Sequence, residues 1–160
     1  MTTLEGTQRA HGLRFAVVVA RFNDFVTERL LAGALEALTA AEVLPDDVTV
    51  LRVPGSFEIP LAAQRAAETG RFDAVICLGC LIRGATPHFD YIASAVSHGL
   101  TNAAAATGVP MAFGVLTTNS AEEALERAVA GPSNKGWEAA MAGVEMATLL
   151  AALGAGAVAR

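Results

Sequence analysis

The sequence predicts an α/β fold, a three-layer sandwich in which a four-stranded parallel β-sheet carries helices on both faces. Short runs rich in apolar and β-branched residues alternate with stretches of helical periodicity along the chain. One of these runs, residues 74–82, is apolar throughout, which is typical of a strand buried on both faces. Strands that alternate singly with helices pair in parallel, because a parallel neighbour requires a long crossover connection. The chain has 160 residues and is expected to form a single domain over residues 1–160.

The composition restricts the class of protein, since the chain is 53% hydrophobic and 17% charged with a net charge of −5. This acidic balance argues against nucleic-acid binding, which favours a basic patch. The segment that begins at Met1 has neither a basic start nor an apolar run, so a cytoplasmic location is expected. Every apolar run is cut by charge, Gly or Pro, so no membrane-spanning segment and no membrane partner are expected. The apolar excess instead predicts that other subunits cover part of the surface.

The first strand–helix unit follows an N-terminal arm of irregular structure, residues 1–12. A β-branched strand is predicted over residues 13–20. Asn23 or Asp24 can then cap a helix, because both side chains accept hydrogen bonds from a helix start. This helix is expected to bury one apolar stripe, formed by Val26, Leu30, Ala34 and Leu38, with Leu31 and Leu35 alongside.

The second unit begins after a turn at Pro45. A strand is predicted over residues 48–53, and a Pro-Gly pair ends it. Ser56 is expected to cap the following helix, which runs to about Thr69. Gly70 then provides the C-terminal stop of that helix.

The third unit starts with the apolar run over residues 74–82. Thr86 is expected to be the N-cap of its helix, and Pro87 the first helical residue, where a missing N–H costs nothing. The apolar stripe of this helix is formed by Ile92, Val96 and Leu100. Together these features predict a strand that leads directly into a helix start.

The fourth unit has a strand over residues 111–116. Residues 120–123 form a capping box that opens a short helix carrying Arg127. A last helix is expected from about Asn134 and buries Trp137, Met141, Val144 and Thr148. It frays at its glycines, so residues 154–160 are expected to form a frayed tail. This arrangement of strands and helices is flavodoxin-like.

Cys77 and Cys80 form a C-x-x-C pattern, which we expect to be structural. A redox pair of this kind lies at a helix N-terminus, whereas this pair lies within a strand. A spacing of three sends the two side chains to opposite faces, so neither a disulfide nor a shared metal is predicted. The histidines, His11, His88 and His98, are scattered without ligand spacing. No metal site is therefore predicted.

The junction after the third strand is the strongest candidate for a reaction centre. Gly84 and Ala85 are small enough for a ligand to approach the backbone, and the N–H groups of a helix start favour an anion such as phosphate. His88 falls in the first turn of that helix, where it can exchange protons with a bound ligand. The alternative is structural: Thr86 and Pro87 open many helices that bind nothing, and a first-turn His is often only solvated.

Other candidates lie at the carboxyl ends of the remaining strands, where ligands bind to parallel sheets. Phe22 is either a hydrophobic staple or a face on which a planar ligand stacks. Asn23 is either a helix cap or a ligand contact, and Glu58 either complements a helix dipole or binds. A surface ion pair with Glu123, four residues earlier, is the simplest explanation of Arg127. Because the carboxyl ends meet at one edge, these candidates are expected to gather there.

Four segments taken together closely resemble the lumazine synthase family. They are residues 21–23 (Arg-Phe-Asn), 54–60 (Pro-Gly-Ser-Phe-Glu-Ile-Pro), 82–91 (Ile-Arg-Gly-Ala-Thr-Pro-His-Phe-Asp-Tyr) and 134–136 (Asn-Lys-Gly). The resemblance extends from about residue 13 to residue 150, and the second and third segments are highly specific. It implies the condensation of 5-amino-6-(D-ribitylamino)uracil with 3,4-dihydroxy-2-butanone 4-phosphate in riboflavin biosynthesis. No cofactor and no metal are implied.

The resemblance also implies a role for each matching residue. Phe22 would stack on the pyrimidine, and His88 would transfer protons. The pyrimidine and its ribityl chain would further be held by Asn23, Ser56, Phe57, Glu58, Cys80, Leu81, Ile82, Phe113 and Lys135. The phosphorylated butanone would be bound by Gly84, Ala85, Thr86 and Arg127. Cys80 stands where Thr is commoner in the family, which matters little if the backbone makes the contact.

A homo-oligomer follows from the same resemblance. In the family the site lies between adjacent subunits, so Phe113, Arg127 and Lys135 would come from the neighbour. A pentamer is expected, either alone or packed with other pentamers into an icosahedral shell: the short connection over residues 128–133 favours the shell, whereas Pro132, which stiffens this loop, counts against it. The resemblance also allows riboflavin synthase as a further partner. Two other functions compete: a flavin-binding module without turnover and an inactive shell protein. Formation of a fluorescent lumazine with release of phosphate would separate both from the enzyme.

Overall fold

Strands and helices alternate along residues 1–158, the part of the chain that the computed structural model describes. The elements in chain order are β1 (Phe15–Ala20), α1 (Asp24–Ala40), a 3-10 turn (Pro45–Asp47), β2 (Val48–Val53), a second 3-10 turn (Ser56–Glu58), α2 (Ile59–Glu68), β3 (Ala74–Ile82), α3 (His88–Thr107), β4 (Met111–Thr118), α4 (Ala121–Glu126) and α5 (Lys135–Val158). The bounds of β2 and β3 are those predicted from the sequence.

The four strands form one parallel sheet in the order β2-β1-β3-β4. β1 lies in the middle, with Phe15 opposite Val48 of β2 on one side and opposite Ala74 of β3 on the other. The register between β3 and β4 places Ile82 opposite Thr118. Helices pack on both faces of this sheet. The predicted three-layer α/β fold is therefore confirmed.

Side chains of the central strands alternate between two separate cores, because a strand has a period of two residues. Along β1, Phe15, Val17 and Val19 contribute to the first core, between the sheet and helices α1 and α5. The residues between them contribute to the second core, beneath α2 and α3. Cys80 lies in the first core and Cys77 in the second, so the prediction that they face opposite sides of the sheet is confirmed. Both are free thiols.

The predicted apolar stripes point inward. Along α1, all the stripe residues except Leu35 are fully buried, and Leu35 is partly buried. Val96 and Leu100 of α3 are buried in the second core, with Ile92 packed against it. Val144 of α5 is buried, and Trp137 and Met141 pack against the first core from its edge.

Two strands differ from their predicted bounds by two residues. β1 begins at Phe15, because Arg14 instead exchanges hydrogen bonds with Asp73: its N–H donates to the Asp73 carboxylate, and the N–H of Asp73 donates to its carbonyl, both at 2.8 Å. β4 continues to Thr118, because β3 runs far enough to pair with it. Pairing partners that are distant in sequence therefore decide where these strands begin and end.

Polar side chains cap the last two helices, and the cap at Ser120 was predicted from the sequence. The Oγ of Ser120 accepts a hydrogen bond from the N–H of Glu123 at 3.2 Å. The Glu123 carboxylate accepts from the N–H of Asn119 at 2.9 Å, one residue before the position that a capping box uses. At α5, the amide oxygen of Asn134 accepts from the N–H of Gly136 at 2.7 Å.

Helix α5 corrects one expectation. By length and composition its segment Lys135–Ala155 is apolar enough to cross a membrane, although no such stretch was expected from the sequence. On its inner side, Ala140 and Val144 belong to the first core, where the helix packs against α1 and the sheet. The helix continues through Val158. The predicted frayed tail, residues 154–160, extends outside the described residues.

Candidate active site

An open groove of about 1020 Å³ lies at the carboxyl edge of the sheet, where β1, β2 and β3 each lead into the next helix. The structure brings most of the predicted site residues together in this groove. Those that line it are Phe22, Asn23, Ser56, Phe57, Glu58, Leu81, Ile82, Gly84, Thr86 and His88.

Phe22 forms one wall of the groove, and backbone hydrogen bonds of Arg21 and Phe22 hold this wall in place. The N–H of Arg21 donates to the carbonyl of Val53 at 2.8 Å, and the N–H of Phe22 donates to the carbonyl of Pro54 at 3.0 Å. These bonds hold the end of β1 against the end of β2. The Phe22 side chain is 69% exposed, so it contributes little to either core. Its ring is available to stack on a planar ligand.

Asn23 connects the segment that carries Phe22 to the central strand β3. It occupies the N-cap position of α1 in the left-handed conformation, with a φ of 64°, and its side chain caps no N–H of the helix. Its amide Nδ2 instead donates to the carbonyl of Cys80 on β3 at 2.8 Å. The predicted side-chain cap is therefore wrong, because a partner on another strand takes the amide.

The segment from Ser56 to Glu58 forms a single 3-10 turn, so helix α2 begins only at Ile59. Ser56 is 5% exposed and makes no capping hydrogen bond, contrary to its predicted role. It packs instead across β3: a β-carbon built on Gly79 would lie 2.5 Å from the Ser56 Oγ. Sequence reasoning missed Gly79, although a glycine within an apolar strand signals such a close approach.

The loop between β3 and α3 presents free backbone N–H groups. Helix α3 begins at His88, one residue later than predicted, with Pro87 at the N-cap and no capping bond from the Thr86 side chain. Within residues 1–158, the N–H groups of Gly84, Ala85 and Thr86 donate to no other protein group. A β-carbon on Gly84 would meet nothing within 4 Å. Unpaired N–H groups before a helix start form a concave site for an anion.

Several residues of the groove were missed from the sequence, namely Pro54, Gly55, Phe89, Tyr91 and Ile92. Tyr91 is 73% exposed and follows His88 by three residues, so both project from one face of α3. This helical spacing was the signal that could have found it. The groove therefore has aromatic groups on the side of α3 as well as on the side of β1.

Neither cysteine is suited to act as a nucleophile in this groove. Burial raises the pKa of Cys77 to about 12 and that of Cys80 to about 11, because desolvation disfavours the thiolate. Both thiols are therefore neutral near pH 7. Among the residues that the structure describes, no three His, Cys, Asp or Glu side chains come together to hold a metal ion.

The remaining predicted site residues do not line the groove. Cys80 lies in the first core and meets the site only through its carbonyl, and Ala85 lies in the loop beside it. Phe113 lies on the edge strand β4 and is 51% exposed. Arg127 and Lys135 lie near the connection between α4 and α5 and do not line the groove of their own chain.

The two basic side chains are engaged locally. The Arg127 Nη1 donates to the backbone carbonyl of Glu123 at 3.0 Å, rather than to its carboxylate as predicted. The Lys135 Nζ lies 2.9 Å from the carboxylate of Glu138. Both contacts are at the surface, where such interactions stabilise little and are easily exchanged for a ligand.

Comparison with known proteins gives one consistent result. Residues 12–151 match the model of a family described as 6,7-dimethyl-8-ribityllumazine synthase. A protein of that name from Syntrophus aciditrophicus (strain SB) is 55% identical over 149 residues, which cover 93% of this chain and 97% of the relative. Another of that name, from Desulfatibacillum aliphaticivorans, is 49% identical over 146 residues, which cover 91% of this chain and 94% of the relative.

Proposed function

The chain belongs to the 6,7-dimethyl-8-ribityllumazine synthase family, and on this premise we propose that it is the lumazine synthase of riboflavin biosynthesis, a transferase. It condenses 5-amino-6-(D-ribitylamino)uracil with 3,4-dihydroxy-2-butanone 4-phosphate. The products are 6,7-dimethyl-8-ribityllumazine, phosphate and water.

The observation that carries this proposal is one groove that joins an exposed aromatic wall to a loop of free N–H groups. The two substrates differ in the same way, since one is a planar ring with a polyol chain and the other carries a phosphate. Phe22 offers the ring a stacking face, and the Ser56–Glu58 turn offers polar groups to the ribityl chain. The loop at Gly84, Ala85 and Thr86 offers donors to the phosphate. Holding both substrates in register can itself supply about 7–11 kcal/mol of the barrier.

His88 is the proton-transfer group of this site. It is the first residue of α3, lines the groove and directly follows the phosphate loop. The reaction joins an amine to a ketone, expels phosphate and closes a ring, and each of these steps moves a proton. A positioned histidine contributes typically 10²–10⁴-fold to such transfers.

A neighbouring subunit completes each groove. Phe113, Arg127 and Lys135 do not line the groove of their own chain, yet all three are at or near the surface. On a neighbour, Phe113 faces the pyrimidine, Arg127 the phosphate and Lys135 the remaining edge of the groove. Guanidinium binds phosphate through two parallel hydrogen bonds, which suits it to this role.

The oligomer that provides such neighbours is a pentamer, packed further into an icosahedral shell in the cytoplasm, with riboflavin synthase as a partner protein. A ring closes when each subunit presents its groove to the next, because the contact is head-to-tail. The connection between α4 and α5 spans only residues 127–134, so no insertion obstructs the approach of pentamers. Sedimentation velocity tests this: a pentamer as the largest species contradicts the shell, and a monomer contradicts the shared site.

One assay tests the activity. The purified protein is incubated with both substrates, and lumazine fluorescence and released phosphate are followed together. We expect the two signals to rise in equal amounts, and neither signal when one substrate is omitted. Binding of the pyrimidine without product would identify a flavin-type binding module instead. Assembly with neither binding nor product would identify an inactive shell protein.

A further inference from the structure

Arg83 is the one charged residue at the end of β3, and it directly precedes the free N–H groups of Gly84, Ala85 and Thr86. Its side chain is 49% exposed, yet it contacts groups on both sides of the loop that follows it. We propose that Arg83 is a positioning residue that fixes this loop in its anion-binding shape and sets the start of α3. This inference rests on the proposed function, because it takes the loop to be the phosphate site.

The first set of contacts ties Arg83 to the carboxyl end of β4. Its backbone N–H donates to the carbonyl of Thr118 at 2.8 Å, which extends the β3–β4 pairing one residue beyond Ile82. Its Nε donates to the Oδ1 of Asn119 at 3.1 Å. Main chain and side chain are therefore both held by consecutive residues of one neighbouring segment.

The second set ties the same guanidinium to the first turn of α3. Its Nη1 lies 3.5 Å from the Oδ1 of Asp90, and its central carbon lies 4.5 Å from the ring centroid of Phe89. Phe89 packs against the second core, so the ring is a fixed surface. Arg83, which directly precedes the loop, is therefore bound both to the end of β4 and to the first turn of α3, which directly follows the loop. His88 lies in that turn.

Each of these contacts is weak by itself at an exposed position. Together they fix the position of the guanidinium, because this one rigid planar group contacts the Asn119 amide, the Asp90 carboxylate and the face of the Phe89 ring at once. A lysine ammonium cannot do this, since it lacks the planar fork and stacks poorly. The Nε and Nη1 of Arg83 are engaged by protein groups, which favours a role in holding the loop over direct contact with phosphate.

The test uses the assembled protein, with inorganic phosphate as the probe in calorimetric titration and the phosphorylated butanone as the varied substrate in kinetics. We expect Arg83→Gln to weaken phosphate binding, and to raise the KM for the phosphorylated substrate, by roughly tenfold, a change within the range of coupling found between residues of one contact network. The KM for the pyrimidine should change less than about twofold. Asn119→Ala should show part of this effect, and the double variant should be no worse than Arg83→Gln alone.

Arg71→Gln is the matched control. Arg71 also lies over a phenylalanine ring, 5.3 Å from the centroid of Phe72, but at the other end of β3. Its replacement should leave phosphate binding and both KM values unchanged. Asp90→Asn provides a second test of the same contacts if Arg83→Gln does not fold, and it should weaken phosphate binding in the same direction.

Three outcomes would overturn the positioning role. One is unchanged phosphate affinity in Arg83→Gln, or in Asp90→Asn if that variant takes its place. Another is full recovery of phosphate binding by Arg83→Lys, since a charge alone would then suffice. The third is additive losses in the Asn119 double variant. A wild-type protein that binds phosphate but forms no lumazine would refute the proposed function alone, whereas one that binds no phosphate would refute both.

Discussion

Replacement of Gly79 by alanine tests how closely the 3-10 turn at Ser56–Glu58 is packed on the sheet. The added β-carbon would lie 2.5 Å from the Ser56 Oγ and 3.1 Å from the Cδ1 of Ile59. The Ile59 contact is with the end of a flexible side chain and can relax. The Ser56 contact is with a short, buried side chain in the 3-10 turn, so the turn itself must shift.

The expected cost follows from this overlap. Overpacking a well-packed core by one methyl group typically costs about 1–3 kcal/mol. For a chain of this size, each 1 kcal/mol lowers the unfolding midpoint by roughly 2–4 °C. A destabilisation of about 2 kcal/mol therefore predicts a decrease of roughly 4–8 °C for Gly79→Ala. The KM for the pyrimidine should rise as well, because the displaced turn is the proposed ribityl contact.

Thermal unfolding of a double variant isolates the cause. Ser56→Ala removes the oxygen at 2.5 Å and leaves two contacts of the added β-carbon, an ordinary one at 3.4 Å from the Ser56 β-carbon and a tighter one at 3.1 Å from the flexible Ile59 Cδ1. Adding it to Gly79→Ala should therefore recover about half of the lost stability, a coupling of roughly 1 kcal/mol. Gly143→Ala is the control, because its nearest neighbour would be 3.4 Å away and alanine favours the helix. Strictly additive effects at positions 79 and 56, or no loss in Gly79→Ala, would refute the reasoning.

Three further predictions concern single groups. His88→Ala should lower kcat about 10²–10⁴-fold and leave pyrimidine binding intact; an unchanged kcat across the pH profile would exclude its proton-transfer role. Asn134→Ala should destabilise the protein by about 1–3 kcal/mol in thermal unfolding, because its buried amide caps α5 and also donates to the carbonyl of Arg29 at 3.1 Å; a change below about 0.5 kcal/mol would contradict this. Burial raises the pKa of Cys77 to about 12 and of Cys80 to about 11, so the unfolding free energy should fall as pH rises from about 9, where unfolded thiols ionise, towards 11–12. Equal rates of iodoacetamide alkylation in the native and unfolded protein at about pH 8.5 would show that the thiols are not protected.

The strands were predictable because their signals are local. β2 and β3 are runs of β-branched and apolar residues between turn residues, and the structure gives them the predicted bounds. The positions of their ends relative to one another follow from parallel pairing. This is why Phe22, Ser56 and His88, which are far apart in sequence, could be expected at one edge of the sheet.

The roles of individual polar side chains were less predictable, because each depends on a distant partner. Asn23 has the right type for a helix cap, but its amide binds the carbonyl of Cys80, 57 residues later. Ser56 was also expected to cap a helix, and it packs on Gly79 instead. The contacts of Arg83 depend on the register that brings Asn119 beside it. No local pattern encodes these pairs.

Subunit complementation tests the central claim, that each site combines the groove of one subunit with residues of the next. Subunits with His88→Ala and subunits with Arg127→Ala, each expected to form little lumazine alone, are mixed in equal amounts, unfolded and reassembled together. In a head-to-tail ring, about a quarter of the interfaces then pair an intact His88 groove with an intact Arg127 neighbour. We expect lumazine formation at about a quarter of the wild-type rate per site. A mixture that stays as inactive as its two components would contradict the shared site.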